Sequence, residues 1–172
     1  MIHLTTLESP IGPLTVAAHG DRVCLLEFDG RGDARKTLQR WYPGDPIAEA
    51  ADPGGAVSAL HAYFEGRVTA LDGVDVEMNG TPFQQRVWDA LRSVRAGTTT
   101  SYAAIARSIG SPSAVRAVGA ANGANPVAVI VPCHRVIGSN GSLTGYGGGL
   151  ERKRWLLAHE GRWLRFEGNP AG

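Results

Sequence analysis

Hydrophobic patterning changes character at Asn79-Gly80, and no single secondary-structure period describes both sides of that point. Before it, residues 2–8, 13–19 and 22–28 are short β-prone runs separated by Ser9-Pro10-Ile11-Gly12 and by Gly20-Asp21, both turn signals. This spacing predicts an antiparallel meander, with Val23, Leu25 and Glu27 on one face of the third strand and Cys24, Leu26 and Phe28 on the other. Helices are expected over 33–42 and 55–65, the second with Val57, Leu60, Tyr63 and Phe64 on one apolar stripe. Residues 43–55 hold three prolines and three glycines and read as a loop. After Gly80 the signals turn helical. Thr81 is a good N-cap, Pro82 suits a first turn, and Phe83, Val87, Leu91 and Val94 line one face of a helix over 82–94. Further helices are expected over 101–109, 113–122 and 151–159, with a strand-like apolar run at 127–131 and a glycine-rich loop behind it. The chain thus reads as α+β in two domains, 1–80 and 81–172.

Charge divides at the same place. Residues 1–80 carry 6 Lys/Arg against 12 Asp/Glu, and residues 81–172 carry 11 against 4, so the net +1 averages two unlike halves. The second half is the one suited to an anionic partner. A chain that is 43% hydrophobic and 19% charged is neither disordered nor fibrous. Two cysteines, Cys24 and Cys133, cannot build a disulfide framework, and free thiols belong in a reducing compartment. The start Met1-Ile2-His3-Leu4 lacks the basic and apolar regions of a signal peptide, and no apolar stretch approaches the roughly 18 residues a bilayer span needs. A cytoplasmic protein with no membrane partner is expected. No CxxC or spaced Cys/His cluster occurs, so no metal is expected either.

The helices flanking Gly110-Ser111-Pro112 resemble a helix-turn-helix, with Ile105 and Ile109 placed to meet Val115 and Val118. The second helix is nearly bare: Ala114, Ala117, Gly119, Ala120 and Ala121 surround one charged residue, Arg116. A major-groove reader carries several base-edge donors. A bare helix can instead press on a shallow surface with one long cation protruding, or be a tightly packed core helix from which Arg116 snorkels. Next, Ile130-Val131-Pro132-Cys133-His134-Arg135-Val136 sets a thiol between Pro and His. The thiolate is the reactive form, and a free Cys with a pKa of about 8.5 needs a base or positive surroundings to supply it. His134 and Arg135 offer both, and Glu160 is a candidate to orient the histidine. The alternative for Cys133 is a buried structural thiol, which is how Cys24 is read. The run Gly145-Tyr146-Gly147-Gly148-Gly149 has no Gly-Lys-Ser/Thr behind it, which excludes a P-loop. It is either a close-approach loop with Tyr146 as a stacking face or a turn before the last helix. Arg152-Lys153-Arg154 reads as a solvated helix face.

In order, Phe83-Gln84-Gln85-Arg86-Val87-Trp88, Ser101-Tyr102, Arg116-Ala117-Val118-Gly119, Asn125-Pro126, Pro132-Cys133-His134-Arg135-Val136, Gly145–Gly149 and Trp155-Leu156-Leu157-Ala158-His159-Glu160-Gly161 resemble the O6-alkylguanine-DNA alkyltransferase family. The series spans 81–161. Over 1–80 the likeness rests on Ser9-Pro10-Ile11-Gly12-Pro13-Leu14 and the meander. The resemblance implies a ribonuclease-H-like α/β unit with an antiparallel sheet, followed by a mostly helical, winged-helix-like domain with a helix-turn-helix. It implies repair of duplex DNA carrying O6-alkylguanine, and O4-alkylthymine, bound through the minor groove, by a methylated-DNA–protein-cysteine methyltransferase. Such a base must leave the stack for its reactive atom to be reached.

By the same resemblance, Cys133 takes the alkyl group irreversibly, His134 receives the thiol proton through a water, and Glu160 orients His134. Tyr102 crowds the phosphate and donates to the departing guanine, and Arg116 fills the vacated stack from a helix whose Ala117 and Gly119 fit the groove. The backbone of Cys133 and Val136 reads the base edge, Asn125 braces the turn before the active-site strand, Tyr146 stacks, and Gly147 offers a backbone N–H to O6. No cofactor is implied. Some relatives hold zinc in the N-terminal unit, but the Cys/His set for it is missing here. The expected form is a monomer, with clustering on DNA left open.

Overall fold

Ile2–Leu7, Leu14–His19 and Arg22–Phe28 form β1, β2 and β3 of a computed structural model that describes residues 1–143 and 145–166, the last four by backbone only. Residues 167–172 of the expected second domain lie outside this range. The described chain divides into two compact units: Met1–Asn79 with Pro126–Ile130, and Gly80–Asn125 with Val131 onward. Residues 126–130, which lie well past the expected division near residue 80, therefore belong with the first unit.

In the first unit β1 pairs antiparallel with β2, and β2 with β3, with a bulge between Ala17 and Ala18. The 43–55 segment is not the plain loop its composition suggests. Ile47–Glu49 forms β4, which adds parallel to β1 and gives the order β3-β2-β1-β4, and Pro53–Gly55 makes one 3-10 turn. The sheet is thus antiparallel except at this edge. Composition misses β4 because three residues between prolines carry no period of their own; Ile2 N–H donating to Pro46 C=O fixes it by pairing. The far edge of β3 is covered in two places. Val23 bridges Val76, and Leu26 bridges Val127, each in parallel sense, which leaves little open edge for another chain. Ala34–Trp41 (α1), capped by Asp33, sends Leu38 into a core with Ile2, Leu4, Ala17, Cys24 and Leu25. Ala56–Phe64 (α2) buries Leu60 and Tyr63 but leaves Val57 and Phe64 half-buried.

The second unit opens with Pro82–Arg92 (α3), where Thr81 and Gln84 form a reciprocal capping box. Val87, Trp88 and Leu91 are its buried face, and the Trp88 indole donates to Ala121 C=O at 2.8 Å. Thr100–Ser101 (β5) leads into Tyr102–Ser108 (α4), capped by Ser101, and then Val115–Gly123 (α5). These two helices are the helix-turn-helix. Val118, Ala121 and Asn122 form the buried stripe of α5, and Ile105 lies in the core with them. Val115, expected in that packing, flanks the stripe instead and is 38% exposed. Val136–Ile137 (β6) pairs parallel with β5, and Leu150–Phe166 (α6) closes the described chain. Among the described residues no helix is long and apolar enough to cross a membrane.

Candidate active site

The apolar run at 127–131 does not form the strand its composition suggests. Val127 makes one bridge, and Ala128 C=O then accepts from Ile130 N–H at 2.8 Å, closing a turn at Val129. Val129 has φ +70°, a left-handed conformation that β-branched residues rarely adopt. A second tight turn follows at Pro132, where Val131 C=O accepts Cys133 N–H at 2.8 Å. Asn125 donates to Val131 C=O at 2.8 Å, tying together the residues that precede and follow the 126–130 excursion. Cys133–Arg135 then make a single 3-10 turn before β6, so three consecutive side chains diverge at the start of a very short strand.

All three are buried, with Cys133 5% and His134 0% exposed. α6 supplies what they meet. Lys153, Leu156 and Glu160 recur at helical spacing and are each 0% exposed, so a cation and an anion share the inward stripe of this helix. The Glu160 carboxylate takes His134 Nε2 at 3.0 and 3.2 Å and the Arg135 fork at 2.9 Å from Nε and 2.7 Å from Nη2. Arg135 Nη1 also donates to Val94 C=O at 2.6 Å. Burial alone would raise the Glu160 carboxyl, but hydrogen bonds from Arg135 and His134 and their charge overcome it and hold it at about 2. For His134 burial wins and pushes the imidazole below its ordinary value despite the Glu160 hydrogen bond and charge.

An ionised carboxylate only accepts, so His134 Nε2 bears the proton and Nδ1 is left as a lone pair. Nδ1 is buried and has no hydrogen-bond partner among the described residues. A neutral imidazole with an unengaged Nδ1, one residue from a thiol, is an arrangement able to take a proton from it.

Other expected residues gather around this turn. The Tyr146 ring stands edge-on to the His134 ring, centroids 6.5 Å apart. Tyr102 is the first residue of α4, directly after β5, and the Ser101–Ile137 register brings it beside the strand carrying Val136. A Cβ on Gly119 would lie 3.9 Å from the Tyr102 ring, so α5 meets that tyrosine at Gly119. Arg116 and Ala117 lie on the exposed side of α5, and Arg116 makes no hydrogen bond or ion pair among the described residues. Gly147 is exposed in the glycine loop.

Two residues escape the sequence reading. Lys153, read as part of a solvated basic face, is buried, and its Nζ donates to Val136 C=O at 2.6 Å. Burial lowers its pKa, opposed by the charge of Cys133. Its spacing from Leu156 and Glu160 is the signal that marks it as inward. Asn122, 4% exposed, donates to Cys133 C=O at 3.4 Å, and its Oδ1 has no partner among the described residues. Its place four residues after Val118 is the corresponding signal.

The chain matches two family models: 6-O-methylguanine DNA methyltransferase, ribonuclease-like domain, over residues 2–78, and the DNA binding domain of the same name over residues 82–162. The chain belongs to the 6-O-methylguanine DNA methyltransferase family. It is 52% identical over 163 residues to a methylated-DNA–protein-cysteine methyltransferase of Mycobacterium bovis, covering 93% of each chain. It is 44% identical to the Salmonella typhimurium protein of that name, over 92% of this chain and 95% of the other. Among solved structures of the family, Mycobacterium tuberculosis OGT in complex with DNA superposes with a TM-score of 0.80 at 48% identity, over 94% of each chain. The α+β fold, with its sheet in the first unit and helices in the second, is the fold of this family.

Proposed function

We propose that this protein repairs duplex DNA by moving an alkyl group from O6 of guanine, or O4 of thymine, onto Cys133, once per molecule. The observation that carries the reading is the His134–Glu160 pair next to Cys133, with Nδ1 of the ring unengaged. The exposed, nearly bare face of α5 lies in the minor groove, Arg116 enters the stack as the damaged nucleotide rotates out, and Tyr102 crowds its phosphate. Unstacking costs a few kcal/mol, less for a poorly paired base. The Cys133 thiol proton passes through a water to His134 Nδ1, and Glu160 stabilises the imidazolium. Sulfur attacks the alkyl carbon in line; the S–C bond forms as the C–O6 bond breaks. Tyr102 donates to the departing guanine, and the His134 proton restores the tyrosine. The Cys133 and Val136 backbones read the base edge, Gly147 N–H faces O6, Tyr146 packs over the site, and Asn125 holds the turn. A thioether has no easy leaving group, so Cys133 is not regenerated.

The protein acts as a monomer in the cytoplasm, consistent with two free thiols. The basic second half faces phosphate, and with 11 Lys/Arg against 4 Asp/Glu it binds modestly and with strong salt dependence. Incubation with duplex containing O6-methylguanine, followed by peptide mass mapping, tests the reading. Cys133 should gain the mass of one methylene once, and Cys133→Ala should still bind yet transfer nothing. An unmodified Cys133 refutes it.

A further inference from the structure

Val129 has no part in the reaction above, yet among the described residues it is the one non-glycine residue with a positive φ, +70°. Elsewhere glycine takes such torsions, because a Cβ meets the backbone there and a β-branched side chain meets it most. A strained residue persists only where its surroundings hold it. Val129 is held from both sides. Upstream, Leu26 N–H donates to Pro126 C=O at 2.9 Å and Leu26 C=O accepts Ala128 N–H at 3.1 Å, so β3 grips the residues before the turn. Ile130 N–H then closes the turn on Ala128 C=O at 2.8 Å. This is the rare, strained form of the three-residue turn, whereas Pro132, at φ −83° and ψ 62°, makes the common one. Downstream, Val131 C=O accepts both Asn125 Nδ2 and Cys133 N–H, each at 2.8 Å. Val127, Val129, Ile130 and Val131 are all at most 3% exposed.

We propose that Val129 is a positioning residue: its narrow left-handed backbone well fixes the direction in which the chain reaches Cys133, and so holds the thiol in line with the alkyl carbon. The proposal rests on the reading of Cys133 as alkyl acceptor. Four residues reach at most about 14 Å, so a swing of about 10° at Val129 carries Cys133 by as much as about 2 Å. In-line displacement tolerates little of that, since a misplacement of about 1 Å costs about a hundredfold in rate. A residue with a Cβ has a small allowed region at positive φ, whereas glycine has a broad one. Glycine at this position would adopt the turn without strain but would not hold the chain to one direction.

The test is single-turnover methyl transfer from a duplex containing O6-methylguanine, with peptide-resolved iodoacetamide labelling of Cys133 as a second readout, on wild type, Val129→Gly and Val129→Ala. Alanine keeps the Cβ, and with it the restricted torsion, while both variants lose the buried methyl groups. Val129→Gly should transfer at least about tenfold more slowly than wild type, and Val129→Ala within about threefold of it. Labelling of both should stay within about twofold of wild type, because a small reagent needs no fixed line of approach. A role in packing alone would slow both variants alike. Equal losses in the two therefore overturn the proposal, as does transfer by Val129→Gly within about threefold of wild type, or a fall in labelling that matches the fall in transfer. Amide exchange on wild type reads the same claim should the variants not fold: the Ile130 and Cys133 amides should exchange as slowly as those of the β1–β2 ladder, and exchange at the rate of an open loop overturns it. Wild type that leaves Cys133 unmodified by the duplex overturns the proposed function itself, and this proposal with it.

Discussion

Glu160→Gln tests the centre of the site, because one carboxylate serves two partners there. The carboxyl is held at about 2 against an ordinary 4.5, and the group is 0% exposed, so the shift corresponds to about 3 kcal/mol of folded-state stability at neutral pH. The folded pKa is the depressed one. That stability is therefore complete above pH 4.5 and is lost as pH falls from there through about 2. Glutamine keeps the shape but leaves the Arg135 guanidinium, 4% exposed, without its counter-charge. Breaking a buried pair in this way costs about 3–5 kcal/mol, or roughly 10 °C in Tm for a chain of this length. The amide also presents an N–H donor where His134 and Arg135 both donate. The imidazole is then driven to the tautomer with its proton on Nδ1, and the lone pair needed for the thiol proton disappears. Loss of a general base lowers the rate by about 10²–10⁴. Single-turnover transfer of a labelled methyl group, with melting curves from pH 7 to pH 3, reads both effects. Wild-type transfer by Glu160→Gln, or a melting point within 2 °C of wild type at pH 7 (roughly 1 kcal/mol or less), would refute the reasoning.

Gly80→Ala should destabilise the second unit by about 1–3 kcal/mol, measured as a lower urea midpoint, because the new Cβ would stand 2.4 Å from two ring carbons of a Trp88 that is 1% exposed. Tyr42→Phe removes the hydroxyl that donates to Glu77 Oε1 at 2.9 Å in the first unit, and a loss of about 1 kcal/mol is expected by the same measurement. Arg116→Ala should slow transfer from duplex DNA while scarcely changing transfer from the free modified base; equal losses on both would argue against insertion into the stack.

Local signals were legible wherever the chain solves a problem within a few residues. The meander follows from strand-length runs between turn residues, and α3 from Thr81, Pro82 and an apolar stripe. The ordered motifs from Phe83 to Gly161 marked the family and singled out Cys133, His134 and Glu160. Where pairing between distant segments decides, the reading failed. β4 exists because β1 offers it an edge, and 127–131 is turn rather than strand because Leu26 pairs with Val127 while Val129 takes a positive φ. Apolar composition is the same in either case.

The sequence by itself carried the change of period near residue 80, the charge split and the helix starts, and it offered Cys133, His134 and Glu160 as candidates for one site. These rest on period, capping chemistry and motif, all properties of neighbouring residues. Tertiary structure alone decided that Glu160 is shared between His134 and Arg135, that His134 keeps Nδ1 as its lone pair, and that Lys153 points inward to the Val136 carbonyl. Those are contacts between residues 17 to 26 positions apart, and the charge state each group adopts is set by burial and by partners that no local pattern contains.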